Sequence, residues 1–187
     1  MALTTLDAKT ALVVIDLQRG IVALPTAHST AEVVQRAALL TEAFRRHGLP
    51  VVLVNVAGGA PGRADQTGPK GDFPAGFTDL VPELNQQPSD HVVTKRTWGA
   101  FTNTDLQAYL QQQGVTQVVL LGVATSIGVE STARFAHELG LNLTLVVDAM
   151  TDMHLEAHNN TLARIFPRIG ETGTTQEVLD LLERSHA

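Results

Sequence analysis

Runs of β-branched and other apolar residues recur along this chain, each separated from the next by a segment long enough for a helix, and this alternation limits the possible folds more than any other feature. TALVVID (10–16), PVVLVNV (50–56), HVVT (91–94), QVVLLGV (117–123) and LNLTLVVD (141–148) read as strands buried on both faces, and FPRIGET (166–172) is a weaker sixth. In AEVVQRAALLTEAFRRHG (31–48), Val34, Ala37, Ala38, Thr41 and Phe44 recur at helical spacing, and Gly48 stands where a C-terminal stop belongs. TDLQAYLQQQG (104–114), with Thr104 or Asn103 as its cap, GVESTARFAHELG (128–140) and TTQEVLDLLERS (174–185) follow the same design. Strands joined through helices require crossover connections, and these are right-handed in nearly all proteins. The expected fold is α/β: a three-layer α/β/α Rossmann-like sandwich around a mostly parallel sheet of about six strands, one domain over 1–187.

Composition removes several classes of function. Thirteen Lys+Arg against 19 Asp+Glu leave a net charge of −6, so the electrostatic footprint of a nucleic-acid or anionic-membrane binder is missing. There is no cysteine, which excludes disulfides, thiolate metal sites and cysteine nucleophiles together. The N-terminal MALTTLDAKT has no basic region followed by an apolar run, and no apolar stretch reaches the roughly 20 residues of a membrane helix, so a cytoplasmic protein is expected. Neither GxGxxG nor GxxxxGK[ST] occurs, and nucleotide binding has no support.

Open α/β sheets bind ligands at the carboxyl ends of their strands, so strand ends are where chemistry is sought. Asp16 closes the first run; on position alone it is equally a turn former. Lys95 closes the third, where a lone lysine is ordinarily a solvated surface group, yet Trp98 and Phe101 beside it are two of the chain's eight aromatics. The fourth run leads through Ala124, Thr125, Ser126 and Ile127 to Gly128. That segment is either a tight strand-to-helix turn or a set of free N–H groups for an anion or oxyanion. Gln18 returns to the Asp16 face two residues on and is a candidate substrate contact. Residues 57–78, rich in Gly and Pro, form a long loop at the same sheet edge, in which Arg63 and Lys70 are the candidate cations. His154 and His158 in HLEAH share a helix face but lack a third zinc ligand, and read as a solvated surface.

ALVVIDLQRG (11–20), VVTKRTWGAFTNTDL (92–106), VVLLGVATSIGVESTARFAHELG (118–140) and VVDAM (146–150) together resemble the isochorismatase-like hydrolases, a superfamily that includes nicotinamidases and N-carbamoylsarcosine amidases. In its cysteine hydrolases the triad is Asp, Lys and Cys. The resemblance puts the Asp at Asp16, the Lys at Lys95 and the nucleophile's position at Gly128. Amide hydrolysis through a thiolate is therefore excluded for this chain. True isochorismatases also have glycine there, and they hydrolyse a vinyl ether with the Asp as general acid. Tyr and His of their GVYAH segment are Ala124 and Ser126 here.

The resemblance implies a hydrolase with Asp16 as general acid or base, Lys95 as its electrostatic partner, and Trp98, Phe101, Gln18 and residues 124–127 around the substrate. It implies a cis peptide at Val123–Ala124, a homo-oligomer and no cofactor. The histidines of the nicotinamidase metal site are missing from 57–78. A catalytically silent binding protein and a Cys-to-Gly variant of an amidase are the rival readings. Asp16 and Lys95 are expected to converge within salt-bridge or one-water distance, facing Gly128.

Overall fold

The computed structural model describes residues 3–66 and 73–185. Its centre is a six-stranded parallel sheet: β1 (Thr10–Ile15), β2 (Val51–Val56), β3 (His91–Lys95), β4 (Gln117–Val123), β5 (Asn142–Thr151) and β6 (Glu171–Gly173), in the spatial order β3-β2-β1-β4-β5-β6. The helices are α1 (Arg19–Val22), α2 (Thr30–Arg46), α3 (Leu106–Gln112), α4 (Glu130–Glu138), α5 (Leu155–Asn160), α6 (Phe166–Ile169) and α7 (Thr175–Ser185).

Side-chain alternation along the strands builds a separate core on each face of the sheet. Leu12, Val14, Leu53, Val119 and Leu121 meet Val33, Ala37, Leu40 and Phe44 of α2 and Val178 and Leu182 of α7. On the other face Ala11, Val13, Ile15, Val52 and Val118 meet Leu106 and Leu110 of α3 and Ala133 and Ala136 of α4. The helix ends use local signals, although the N-cap of α3 is Asp105 and not Thr104 or Asn103, with the Thr104 hydroxyl accepting from the Leu106 N–H at 3.3 Å. Ser29 accepts from the Glu32 N–H at the start of α2, and Gly48 and Gly114 turn the chain with φ of 66° and 67° after α2 and α3.

Three elements differ from the sequence expectation. Residues 166–169 are helical and only 171–173 form the edge strand β6, because Pro167 lacks the N–H a strand ladder uses and suits the first turn of a helix. The fifth strand runs on past the expected end at Asp148 to Thr151 through a bulge, and Asp148, in the bulged stretch, accepts from the backbone N–H and hydroxyl of Thr175 at the start of α7. The segment after β4 is a π-helical turn, Thr125–Val129, and regular α-helix begins only at Glu130.

The order of the strands places the site. The chain lays β2 and β3 to one side of β1, then crosses to lay β4 on the other, so the switch point lies between the carboxyl ends of β1 and β4. Gly122 makes their close approach possible: its φ is 123°, and a Cβ there would overlap the carbonyl of Ile15. Gly122→Ala therefore places a methyl group against backbone in a conformation that L-residues rarely adopt. We expect it to lose about 3 kcal/mol or more of unfolding free energy in urea titration.

Candidate active site

Strict alternation along β1 would send Asp16 to the α2 side of the sheet, with Leu12 and Val14. Its left-handed backbone, with φ of 53°, breaks that alternation. Lys95 follows Val93 by two residues on the α3/α4 face and reaches past β2 to the carboxylate. The Lys95 ammonium donates to Asp16 Oδ2 at 2.6 Å and to the Thr97 carbonyl at 3.3 Å. Lys95 is 2% exposed and Asp16 5%. The other carboxyl oxygen, Asp16 Oδ1, is buried with no hydrogen-bond partner. Burial raises the Asp16 carboxyl out of the ordinary range to about 6, against the opposing pull of the Lys95 charge and hydrogen bond. Asp16 can thus hold a proton at mildly acidic pH and exchange it near neutrality.

Gly128 packs directly against this pair. A Cβ at Gly128 would lie 3.0 Å from Ile15 Cγ2, 3.3 Å from Asp16 Oδ2 and 3.6 Å from the Trp98 carbonyl oxygen. Its backbone is outside the left-handed region. The Thr132 hydroxyl donates to the Gly128 carbonyl at 2.7 Å and accepts from the Ala100 N–H at 3.0 Å, tying the turn to the segment after β3. The Val123–Ala124 peptide is cis.

Several other expected site residues have different surroundings. Gln18 is fully buried and its amide is already engaged: Oε1 accepts from the Val56 N–H at 2.6 Å, and Nε2 donates to the carbonyls of Val56 and Phe77 at 3.0 and 3.1 Å. It clamps the two ends of the 57–78 loop. Phe101 stacks on Phe135 with ring centroids 5.2 Å apart and belongs to the α3/α4 core, so its ring walls that core and not the Asp16 pair. Trp98 contributes its carbonyl beside Gly128, but the residue is 63% exposed. Arg63 is exposed, and Lys70 lies outside the described residues.

The 124–127 segment is held from within the protein. Thr125 is buried, with its hydroxyl 2.8 Å from His158 Nδ1. Ser126 donates both its N–H and its hydroxyl to Asp152 Oδ2, at 2.7 and 2.8 Å. Its N–H is therefore unavailable to a substrate oxyanion. Ala124 is buried, and Ile127 packs against the α2/α7 core. His158 is not on a solvated face, as HLEAH suggested: it is 5% exposed, its ring lies 4.7 Å from that of His28, and burial, helped by His28, lowers its pKa against the pull of Asp152. His154 is exposed. Among the described residues no group of three or more His, Cys, Asp or Glu could hold a metal ion, and no helix is long and apolar enough to cross a membrane.

Asp152 and Thr132 were missed by the sequence reading. Asp152 is a strand-end acid, as Asp16 is, and reading the fifth run through to 151 would have exposed it; Thr132, inside a helix, carries no such signal.

Residues 10–177 match the isochorismatase domain family. The chain belongs to the isochorismatase family. It is 46% identical over 179 residues to the uncharacterized isochorismatase family protein YwoC of Bacillus subtilis, covering 92% of this chain and 93% of that one. It is 43% identical over 187 residues to the uncharacterized isochorismatase family protein YecD of Escherichia coli O157:H7, covering 95% and 98%. An isochorismatase family structure from Burkholderia thailandensis superposes with a TM-score of 0.92 at 41% identity, over 96% of this chain and 98% of that one. Hydrolase activity and a three-layer α/β/α fold around a parallel sheet are what this isochorismatase family membership carries.

The geometry at residue 128 can be probed with a thiol. In Gly128→Cys the sulfur would stand beside Asp16 and Lys95, where the ammonium favours thiolate. We expect the thiol to titrate below an ordinary cysteine and to react with iodoacetamide faster than free cysteine at pH 7, with Ile15 yielding a few tenths of an ångström to admit the Cβ. An ordinary thiol pKa, or no alkylation of the folded variant, would show that the position is not aimed at the pair.

Proposed function

We propose that this protein hydrolyses a small molecule without a covalent enzyme intermediate, with Asp16 as general acid and Lys95 as its electrostatic partner. The observation that carries this reading is a carboxyl group 5% exposed, held near pH 6, hydrogen-bonded to a buried ammonium and facing a glycine. The chain has no cysteine and so no thiolate to attack, and this reading takes water as the nucleophile.

Vinyl-ether hydrolysis of the isochorismate type suits these groups. Asp16 gives its proton to the vinyl carbon, and the ether oxygen shares the positive charge of the resulting oxocarbenium ion. Water adds to the cationic carbon and returns a proton to Asp16. The hemiketal then breaks its C–O bond, giving a ketone and an alcohol, with one water consumed. Lys95 fixes the carboxyl through Oδ2, which leaves the unpartnered Oδ1 to carry and deliver the proton.

A panel of vinyl ethers, esters and amides, with Asp16→Asn as control, tests the reading. We expect turnover of a vinyl ether and a loss of about 10²–10⁴-fold in Asp16→Asn, the usual contribution of a general acid. Turnover that depends on Asp16 for esters or amides only would instead assign base catalysis. No turnover across the panel would favour a binding protein.

The pH dependence has a definite sign. An acid must be protonated, so kcat/KM should be flat below about 6 and fall about tenfold per unit above it. Lys95 pulls the Asp16 pKa down, so Lys95→Met should move this limb to higher pH. A rate that rises through pH 6 would contradict the acid role.

A further inference from the structure

The acid depends on being kept out of water, and Gly128, which packs against its Oδ2, has no side chain to hold it in place. Its turn has to be held by other groups. Thr132 grips the Gly128 carbonyl from within the following helix, and the Thr125 hydroxyl meets His158. The third anchor is Asp152, just past the end of β5 and 1% exposed. Its Oδ2 accepts both the backbone N–H and the hydroxyl of Ser126, and its Oδ1 accepts the His154 N–H at 3.2 Å. Its backbone carbonyl accepts the Ala27 N–H at 2.8 Å. Ser126 lies in the first turn of the 125–129 segment, where backbone donors have no helical acceptor. One buried residue therefore joins the turn and the start of α5 through its carboxylate, and the segment before α2 through its backbone carbonyl.

We infer that Asp152 is a positioning residue: through Ser126 it holds the 125–129 turn down against Asp16 and so keeps the acid dehydrated. This rests on the reading of Asp16 as an acid. Water admitted beside a carboxyl stabilises its charged form, so a loosened turn makes Asp16 a stronger acid, ionised at lower pH. Among the described residues, the charged and titratable groups around the two sites are these. Lys95 faces Asp16 from β3, while His28, from the segment before α2, and His158, from α5, lie near Asp152.

The test needs no substrate. The Asp16 carboxyl is titrated by carbon-13 NMR of aspartate-labelled protein, and backbone amide exchange at 125–129 is followed in the same samples. We expect a midpoint near 6 in the native protein. In Asp152→Ala it should fall by at least about one pH unit, a tenfold change in acidity, together with faster exchange across the turn. Asp152→Asn retains one acceptor oxygen and should shift both readings in the same direction by less. If Asp152→Ala does not fold, Asp152→Asn decides.

An unchanged midpoint in a folded variant overturns the inference. So does a lowered midpoint with unchanged exchange, because that pattern is simple removal of a negative charge. The acid reading fails separately, by a flat pH–rate profile in a protein whose Asp16 still titrates near 6.

Discussion

An ammonium and a carboxyl that are both out of water impose the main constraint on this structure. Removing either ion from solvent costs several kcal/mol, and their attraction offsets that only where the geometry is enforced from outside. Lys95 and Asp16 lie on strands separated by β2, and they meet because the backbone at Asp16 turns against the alternation of its own strand. The two glycines of the neighbouring connection serve the same end. Gly122 lets β4 close on the last residue of β1, and Gly128 lets the following turn rest on the carboxyl itself. The same electrostatics link proton and substrate. Protonating Asp16 leaves Lys95 without its counter-ion, so a negative group arriving beside the pair favours the protonated acid.

The parallel sheet was legible because its central strands are buried on both faces, and that burial is written directly as runs of Val, Leu and Ile. The four longer helices were legible for the complementary reason, one apolar stripe each, with a glycine stop after α2, α3 and α4. In the 155–165 stretch only HLEAH read as helical, and as a solvated one, because LEAHNNTLARI is mixed in character: a short α5 passes into a second π-helical turn, Thr161–Ile165, and its fixed points are polar, with Thr161 donating to Glu130 and His158 meeting Thr125. Periodicity cannot report an element held by hydrogen bonds to distant residues.

The site was legible only in part, for a related reason. Asp16, Lys95 and Gly128 stand at ends of predicted strands or in the motif, and the structure brings all three together. Gln18 and Ser126 sit at equally suggestive positions, but their hydrogen-bonding capacity is directed inward, to Val56, Phe77 and Asp152. Phe101 is as close to Lys95 in the chain as an aromatic wall needs to be, yet its ring turns to Phe135. A sequence shows which polar and aromatic groups are near a site, but their partners depend on contacts between residues as distant as Asp16 and Lys95, 79 apart, or Gln18 and Phe77, 59 apart.

The Gln18 clamp also affects how this fold can change over time. One amide holds the chain where it leaves β2 and again where it returns at Phe77, whose ring rests on Gly20. Both stems of the loop are thus fastened to the segment just after Asp16, between β1 and α1, through the side chain of Gln18. Length and sequence can be exchanged between those stems without disturbing the acid, because closing a longer flexible loop costs little, about 0.6 kcal/mol for each doubling. The intervening segment is therefore a natural graft point, where new recognition can be installed while the proton-handling machinery is inherited intact.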